Sequence, residues 1–339
     1  MPLSKKIALK KEVVDLSVDL MNEVDFSAPF PELVRSCEDE LLQRGHPCRV
    51  HIVHGGLGLT PLDLASNDLS FLLDLPVREL NLANSPVIDL SFMASLQLVG
   101  LSLAGCPVSD LSHLVGMPLE WIDLSRTEFV DLSPLATCPL RKINLRRTPA
   151  TDLVSLAGAP LADLDLGYTR VSSLRSLSEF PLRRLDLFKT SVDDLDYLRG
   201  LPLEELDLSG TGVTNLRPLR GMPLRILELR AVAVTDLSPL KGMPLEALRL
   251  SGSVVTDLTP LAASPLESLS LTGLVIDDLT PLLGMPLRCL TVTAANLTSE
   301  QIDLLAGMRL ESLGEAADPE GQTPEIFLER LAVGDYGTG

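Results

Sequence analysis

The chain has 339 residues and a mass of 36.6 kDa, enough for two ordinary domains or one long repeat array. Its composition is 45% hydrophobic but only 4% aromatic, with a mean hydropathy of +0.26, which excludes a disordered chain and makes the core aliphatic. Lys+Arg 28 against Asp+Glu 46 gives a net charge of -18, which disfavours non-specific binding to nucleic acid or an anionic membrane and suits a basic or neutral partner.

At the N-terminus, Lys5, Lys6, Lys10 and Lys11 interrupt any apolar signal core, and no stretch approaches the ~18 apolar residues of a membrane span. The expectation is a soluble chain without a Sec signal. Cys37, Cys48, Cys106, Cys138 and Cys289 are odd in number and scattered, which is unlike a disulfide framework and points to a reducing compartment, the cytoplasm. Residues 1–58 are expected to form an N-terminal cap. They hold the alternation Val14-Asp-Leu16-Ser-Val18, then a helix after Ser27 with Leu33, Val34, Cys37, Leu41 and Leu42 on one face and Gly45 as its stop. His46, Cys48, His51 and His54 are the densest group of metal-ligand residue types. Val50–Val53 has strand character, however, so His51 and His54 would point to opposite faces, and the expectation is no metal. His54-Gly55-Gly56 is taken as the turn into the first repeat, since no G-x-S-x-G elbow accompanies it.

The centre of the chain is periodic. Pro-Leu recurs from Pro118 through Pro139, Pro160, Pro181, Pro202, Pro223, Pro244 and Pro265 to Pro286, always 21 residues apart. A unit such as Leu203 to Pro223 has the pattern L-x-x-L-x-L-x-x-T-x-V-x-N-L-x-P-L-x-G-M-P. Eleven units run in register from Val77 to the one starting at Leu287, a shortened unit precedes them at Leu59, Leu62 and Leu64, and after Leu287 the frame slips by two residues before restarting at Leu310. Positions 4 and 6 are apolar about a variable residue, as in Leu206-Asp-Leu208, the period of a short strand with one buried face. Position 9 is Thr127, Thr148, Thr169, Thr190 or Thr211, with Ser85, Cys106 and Ser253 in the same role, a small polar group expected to hydrogen-bond an orphan amide of the turn. Asp-Leu-Ser-Pro-Leu, as at Asp131 to Leu135, then caps about one turn of helix, which Gly and Pro at positions 19 and 21 terminate. The aspartates at this place, Asp89, Asp110, Asp131, Asp152, Asp194, Asp236, Asp257 and Asp278, are accordingly assigned to capping and not to calcium.

Residues 59–313 thus resemble the leucine-rich repeat family, in its short bacterial variety with T-x-V-T-D-L-S-P-L units, similar to internalin repeats and to the repeats trailing some planctomycete-type protein kinases. Two departures stand out. The usual Asn of L-x-x-L-x-L-x-x-N is Thr or Ser, and no kinase sequence is attached, so no kinase activity carries over. The resemblance implies an α/β leucine-rich-repeat solenoid, with a parallel sheet on the concave face and short helical turns on the convex one. The residues imply the same stack, one strand per unit about 4.8 Å apart in a sheet about 60 Å long. Residues 314–339 are expected to close the array as a C-terminal cap and tail. Thr298-Ser-Glu-Gln301 has capping-box spacing, and Thr323-Pro324 opens a short helix carrying Ile326, Phe327 and Leu331.

Positions 3, 5 and 7 alternate with the core positions and face outward from the sheet. Position 5 includes Asp123, Asn144, Asp165, Asp186, Asp207 and Glu228, four of them consecutive carboxylates that would repel by about 1 to 3 kcal/mol per pair unless neutralised. Lys142, Arg146, Arg184 and Arg230 at positions 3 and 7 supply part of that. Trp121, the only tryptophan, and Phe188 face outward there, with Tyr168 at the strand edge, and aromatics with arginines favour protein interfaces. Units starting at 245, 266 and 287 carry mostly small residues at these positions. The expected function is a non-enzymatic interaction module whose central concave face, Trp121 to Arg230, binds a protein partner of basic or mixed charge. The alternative is a targeting or regulatory arm of a separately encoded kinase or phosphatase. Neither needs a cofactor, and no catalytic residues are assigned.

Overall fold

The computed structural model describes residues 30–62, 69–129, 131–315 and 323–332; the Val14–Val18 alternation and Leu64 lie outside them. The chain separates into two compact units, one holding residues up to 149 and 154–161, the other 150–153 and the residues from 162 on.

The first unit opens with helix α1 (Phe30–Gln43), which ends as expected at Gly45, whose φ of +82° suits only glycine. Cys37 and Leu41 are buried, four residues apart on one face, but Leu42 is 61% exposed, because a residue next to Leu41 is turned about 100° round the helix axis. Strands β1 (Cys48–Val53) and β2 (Gly56–Pro61) then form an antiparallel hairpin turning at His54-Gly55. This adds one antiparallel strand to a sheet that is parallel from β2 on. The remaining strands are β3 (Val77–Asn81), β4 (Gly100–Ser102), β5 (Trp121–Asp123) and β6 (Lys142–Asn144), paired in chain order. Leu59 pairs with Leu80, 21 residues on, and Leu57 with Val77, 20 residues on, across a register shift, so the first repeat is close to full length and not as short as the Leu59, Leu62 and Leu64 frame implies; Leu62, expected in that frame, is 58% exposed.

The second unit continues the pattern with β7 (Asp163–Asp165), β8 (Arg184–Asp186), β9 (Glu205–Asp207), β10 (Ile226–Glu228), β11 (Ala247–Arg249), β12 (Ser268–Ser270), β13 (Cys289–Thr291) and β14 (Ser312–Gly314), again parallel neighbours in sequence order. The two-residue slip appears between β13 and β14, where Cys289 pairs with Ser312 and the extra length houses helix α2 (Ser299–Ala306). Thr298 and Gln301 form both halves of its capping box. Helix α3 (Pro324–Ala332) closes the unit with Phe327 fully buried; Ile326, expected beside it, is 46% exposed.

Within each repeat the core is built of leucine. Leu206 and Leu208, at positions 4 and 6, are buried, as are their counterparts Leu164 and Leu166 or Leu227 and Leu229. Burying a leucine contributes about 1.5–3 kcal/mol, so repetition supplies the stability that few aromatics could. The turns are 3-10 helices of three to five residues, as short as the Ser-Pro-Leu sequence permits. Asp131, Asp236 and Asp257 accept the amide two residues on with Oδ1 at 2.8 Å, confirming capping. Hydrogen bonds from the Ser91 and Ser133 amides and hydroxyls, and those of Ser238 and Thr280, hold Asp89, Asp131, Asp236 and Asp278 below the usual carboxylate range.

The position 9 threonines hydrogen-bond the turn, as expected, but chiefly as donors. Thr148, Thr169 and Thr190 donate their hydroxyls to the carbonyls of Leu145, Leu166 and Leu187 at 2.6, 2.7 and 2.8 Å. They satisfy a carbonyl; Thr169 also accepts the Val171 amide at 3.5 Å, as expected of this position, and the amide at position 7 is met from position 5.

Candidate functional site

At the end of each strand the chain leaves through position 7 and turns at position 8. The amide at position 7 would be orphaned there, and the Asx side chain at position 5 accepts it. In the first unit Asp123 takes the Ser125 amide at 2.8 Å and Asn144 that of Arg146 at 3.0 Å. In the second, Asp165, Asp186 and Asp207 take the amides of Gly167, Phe188 and Ser209 at 2.8, 2.7 and 2.7 Å. The carboxylate row that seemed to need an outside counter-charge is therefore held largely by backbone dipoles.

Glu228 breaks this pattern. One methylene longer, it has no such amide; instead Arg230 Nη2 lies 2.9 Å from its Oε2. Its carboxyl is pushed above the usual range because burial outweighs Arg230 and Arg249. Arg184 sits between Glu205 at 2.7 Å and Asp163 at 3.6 Å, so the position 3 row of these strands is internally paired.

The aromatics divide into two local arrangements. Trp121, in the first unit, lies along the sheet over Gly100, where an added Cβ would come within 2.2 Å of the ring. Its Nε1 donates to Glu79 Oε1 at 3.2 Å, and Glu79 Oε2 is 3.3 Å from His51 Nε2, whose ring in turn fills the space over Gly58. Trp121 faces outward by register but is folded down onto its own sheet and half-buried. In the second unit Tyr168 and Phe188, on adjacent strand ends, meet edge to face with centroids 5.1 Å apart. Lys189 Nζ stands 5.4 Å from the Tyr168 ring centre and 5.5 Å from that of Phe188. Both rings are half-exposed and Lys189 is exposed.

Lys189 was not among the expected site residues, and neither was the backbone on which it sits. Position 8 is left-handed in every repeat from the unit starting at Val77 to that starting at Leu266. Glycine fills it at Gly105, Gly210, Gly252 and Gly273, and the other six units hold Asn84, Arg126, Arg147, Tyr168, Lys189 and Ala231 there, with φ of +58° at Tyr168 and +53° at Lys189. The glycines at the same place in four units were the signal for it.

The N-terminal histidines diverge. His46 stacks on Phe71 at 4.2 Å, His51 faces Glu79, and Cys48 is buried with its thiol raised to about 11 by burial. Among the described residues no group of three or more His, Cys, Asp or Glu is placed to hold a metal ion, and no helix is long and apolar enough to cross a membrane. Cys289 is half-buried on the open face of β13.

No family model matches the sequence, and no curated protein matches it. Solved structures do match by fold. An internalin (InlF) of Listeria monocytogenes is 20% identical with a TM-score of 0.56, covering 66% of this chain and 76% of that one. The functional domain of InlJ, from the same organism, is 18% identical with a TM-score of 0.48 over 66% of this chain and 55% of that one. A chain of the mouse RP105/MD-1 complex is 21% identical with a TM-score of 0.50, over 64% of this chain and 42% of that one. With one strand and one short turn per 21-residue unit, buried leucines at fixed positions and the likeness to InlF, the chain has the α/β fold of a leucine-rich-repeat solenoid.

Proposed function

We propose that the chain is a non-enzymatic, cytoplasmic protein-interaction module that binds a partner of mixed charge on the open face of its second unit. Tyr168, Arg184, Asp186 and Phe188 form the centre of that surface, and Asp165, Asp207, Glu228 and Arg230 its surround. Trp121, Asp123, Lys142, Asn144 and Arg146 are proposed as a separate contact on the first unit. The observation that carries this is the half-exposed Tyr168–Phe188 pair under Lys189, in a chain with only 4% aromatic residues. Aromatic side chains bring large contact area with few rotors, and with arginine they dominate binding energy in protein interfaces. The fold agrees: a chain of the same fold occurs in a two-protein assembly, the RP105/MD-1 complex. Function still resides in the site and not in the fold.

The test is affinity purification from native extract with wild type beside Tyr168→Ala/Phe188→Ala, both verified by circular dichroism and melting. A partner lost only from the double variant is the expected result. An unchanged partner set would overturn the placement, and a stoichiometric kinase or phosphatase retained by both proteins would support the regulatory-arm alternative instead.

A further inference from the structure

The charge at the second unit's strand exits is not balanced. On the strand face Arg184 and Arg230 each have a carboxylate within ion-pair range, and Asp165, Asp186 and Asp207 are engaged by backbone amides. Lys189 and Arg170, both exposed, have no carboxylate partner among the described residues. Arg170 lies two residues beyond Tyr168, and Lys189 stands over the Tyr168 and Phe188 rings. In a chain of net charge -18, the charge left without an opposite at this corner is positive.

The backbone at the strand exit places both side chains. Tyr168 and Lys189 share the left-handed position 8 with Asn84, Arg126, Arg147 and Ala231, while the next unit has Gly210 at the equivalent position. Gly210 also leaves room for the lysine, since a Cβ there would come within 2.9 Å of Lys189 Cγ.

We infer that this corner, Tyr168, Arg170, Phe188 and Lys189, takes a peptide segment of the partner in which a carboxylate adjoins an apolar side chain. The carboxylate pairs with Lys189 and Arg170, and the apolar group packs on the two rings. This rests on the strand-face reading above and specifies the chemistry of the partner where it crosses the strand exits. Nucleic acid, the other polyanion, is disfavoured by the charge of the rest of the molecule.

The test is fluorescence anisotropy of the full chain with two labelled dodecapeptides, four repeats of Glu-Glu-Leu and four of Lys-Lys-Leu. The acidic peptide is expected to bind at least about tenfold more tightly, and Lys189→Gln and Arg170→Gln each to weaken it about threefold to tenfold. Lys189→Gly is expected to weaken it too while raising the melting temperature by ~2 °C, which a merely structural lysine would not do. Binding of neither peptide, equal binding of both, or indifference to Lys189→Gln and Arg170→Gln would overturn the inference. If Phe188→Ala alone abolished partner capture, the strand-face reading would survive that failure; if Tyr168→Ala/Phe188→Ala changed nothing, both would fall.

Discussion

A single methylene separates two kinds of acid on the strand face. Asp186 and Asp207 reach the amide two residues on, whereas Glu228 is too long to close that ring and turns to Arg230. Because burial raises the folded-state pKa of Glu228, its ionised form is disfavoured on folding, and protonation below neutrality favours the native state. Glu228→Gln is therefore expected to leave the melting temperature at pH 7 unchanged or higher, and a loss of several degrees would show that the Arg230 contact dominates. The cysteines give an independent check. Cys48, Cys106 and Cys138 are buried, Cys48 with its thiol raised to about 11, whereas Cys289 is half-buried. A thiol reagent at pH 8 should modify Cys289 first in the native chain, and Cys48 only on unfolding. Fast native modification of Cys48 would mean that α1 does not seal against β1.

Among the elements, the legible part of the sequence was the part governed by period. Strand, turn and glycine stop recur every 21 residues, so each repeat confirms its neighbours, and the caps at Gly45 and Thr298 carry local chemistry that names them. Less legible was the direction of single side chains at the ends of the array, where no repeat averages the signal. Leu42, Leu62 and Ile326 are apolar yet exposed, and Leu62 does not belong to the frame of the first repeat, whose strand register is set by Leu57 and Leu59. At the site, register placed Phe188 and Trp121 on the open face, but it could not show that Trp121 lies down over Gly100 towards Glu79. Nor did it reveal Lys189, whose position depends on a left-handed backbone. The closing elements can be tested directly. Thr298→Ala should cost about 1 kcal/mol through the lost cap of α2, and Phe327→Ala about 3–5 kcal/mol through a cavity under α3, both read by urea denaturation. Equal, small losses would mean that α3 is not docked by Phe327.

For the whole molecule, the repeated aspartate caps make acid a collective stress. Asp89, Asp110, Asp131, Asp236 and Asp278 have folded-state pKa values below their unfolded ones, so the unfolded chain binds more protons as pH falls. Their stabilisation is complete above the unfolded value of about 3.9 and is lost as pH drops through the lowered values. The melting temperature should be nearly flat between pH 7 and about 5 and should fall below about pH 4. A plateau extending to pH 3 would indicate that the caps contribute little. The acidic excess, net -18, also bears on binding, since contacts through Lys189 and Arg170 should weaken as salt rises while those through the rings persist. The measurement that tests the central claim most directly is hydrogen exchange on the full chain, alone and with its captured partner. Slowed exchange centred on the strand ends and exits between residues 163 and 191, extending to the strand ends at Asp207 and Glu228 and to a separate patch between residues 121 and 146, is the expected result. Protection confined to residues 46–61, or to the 3-10 turns on the far side of the strands, would contradict it.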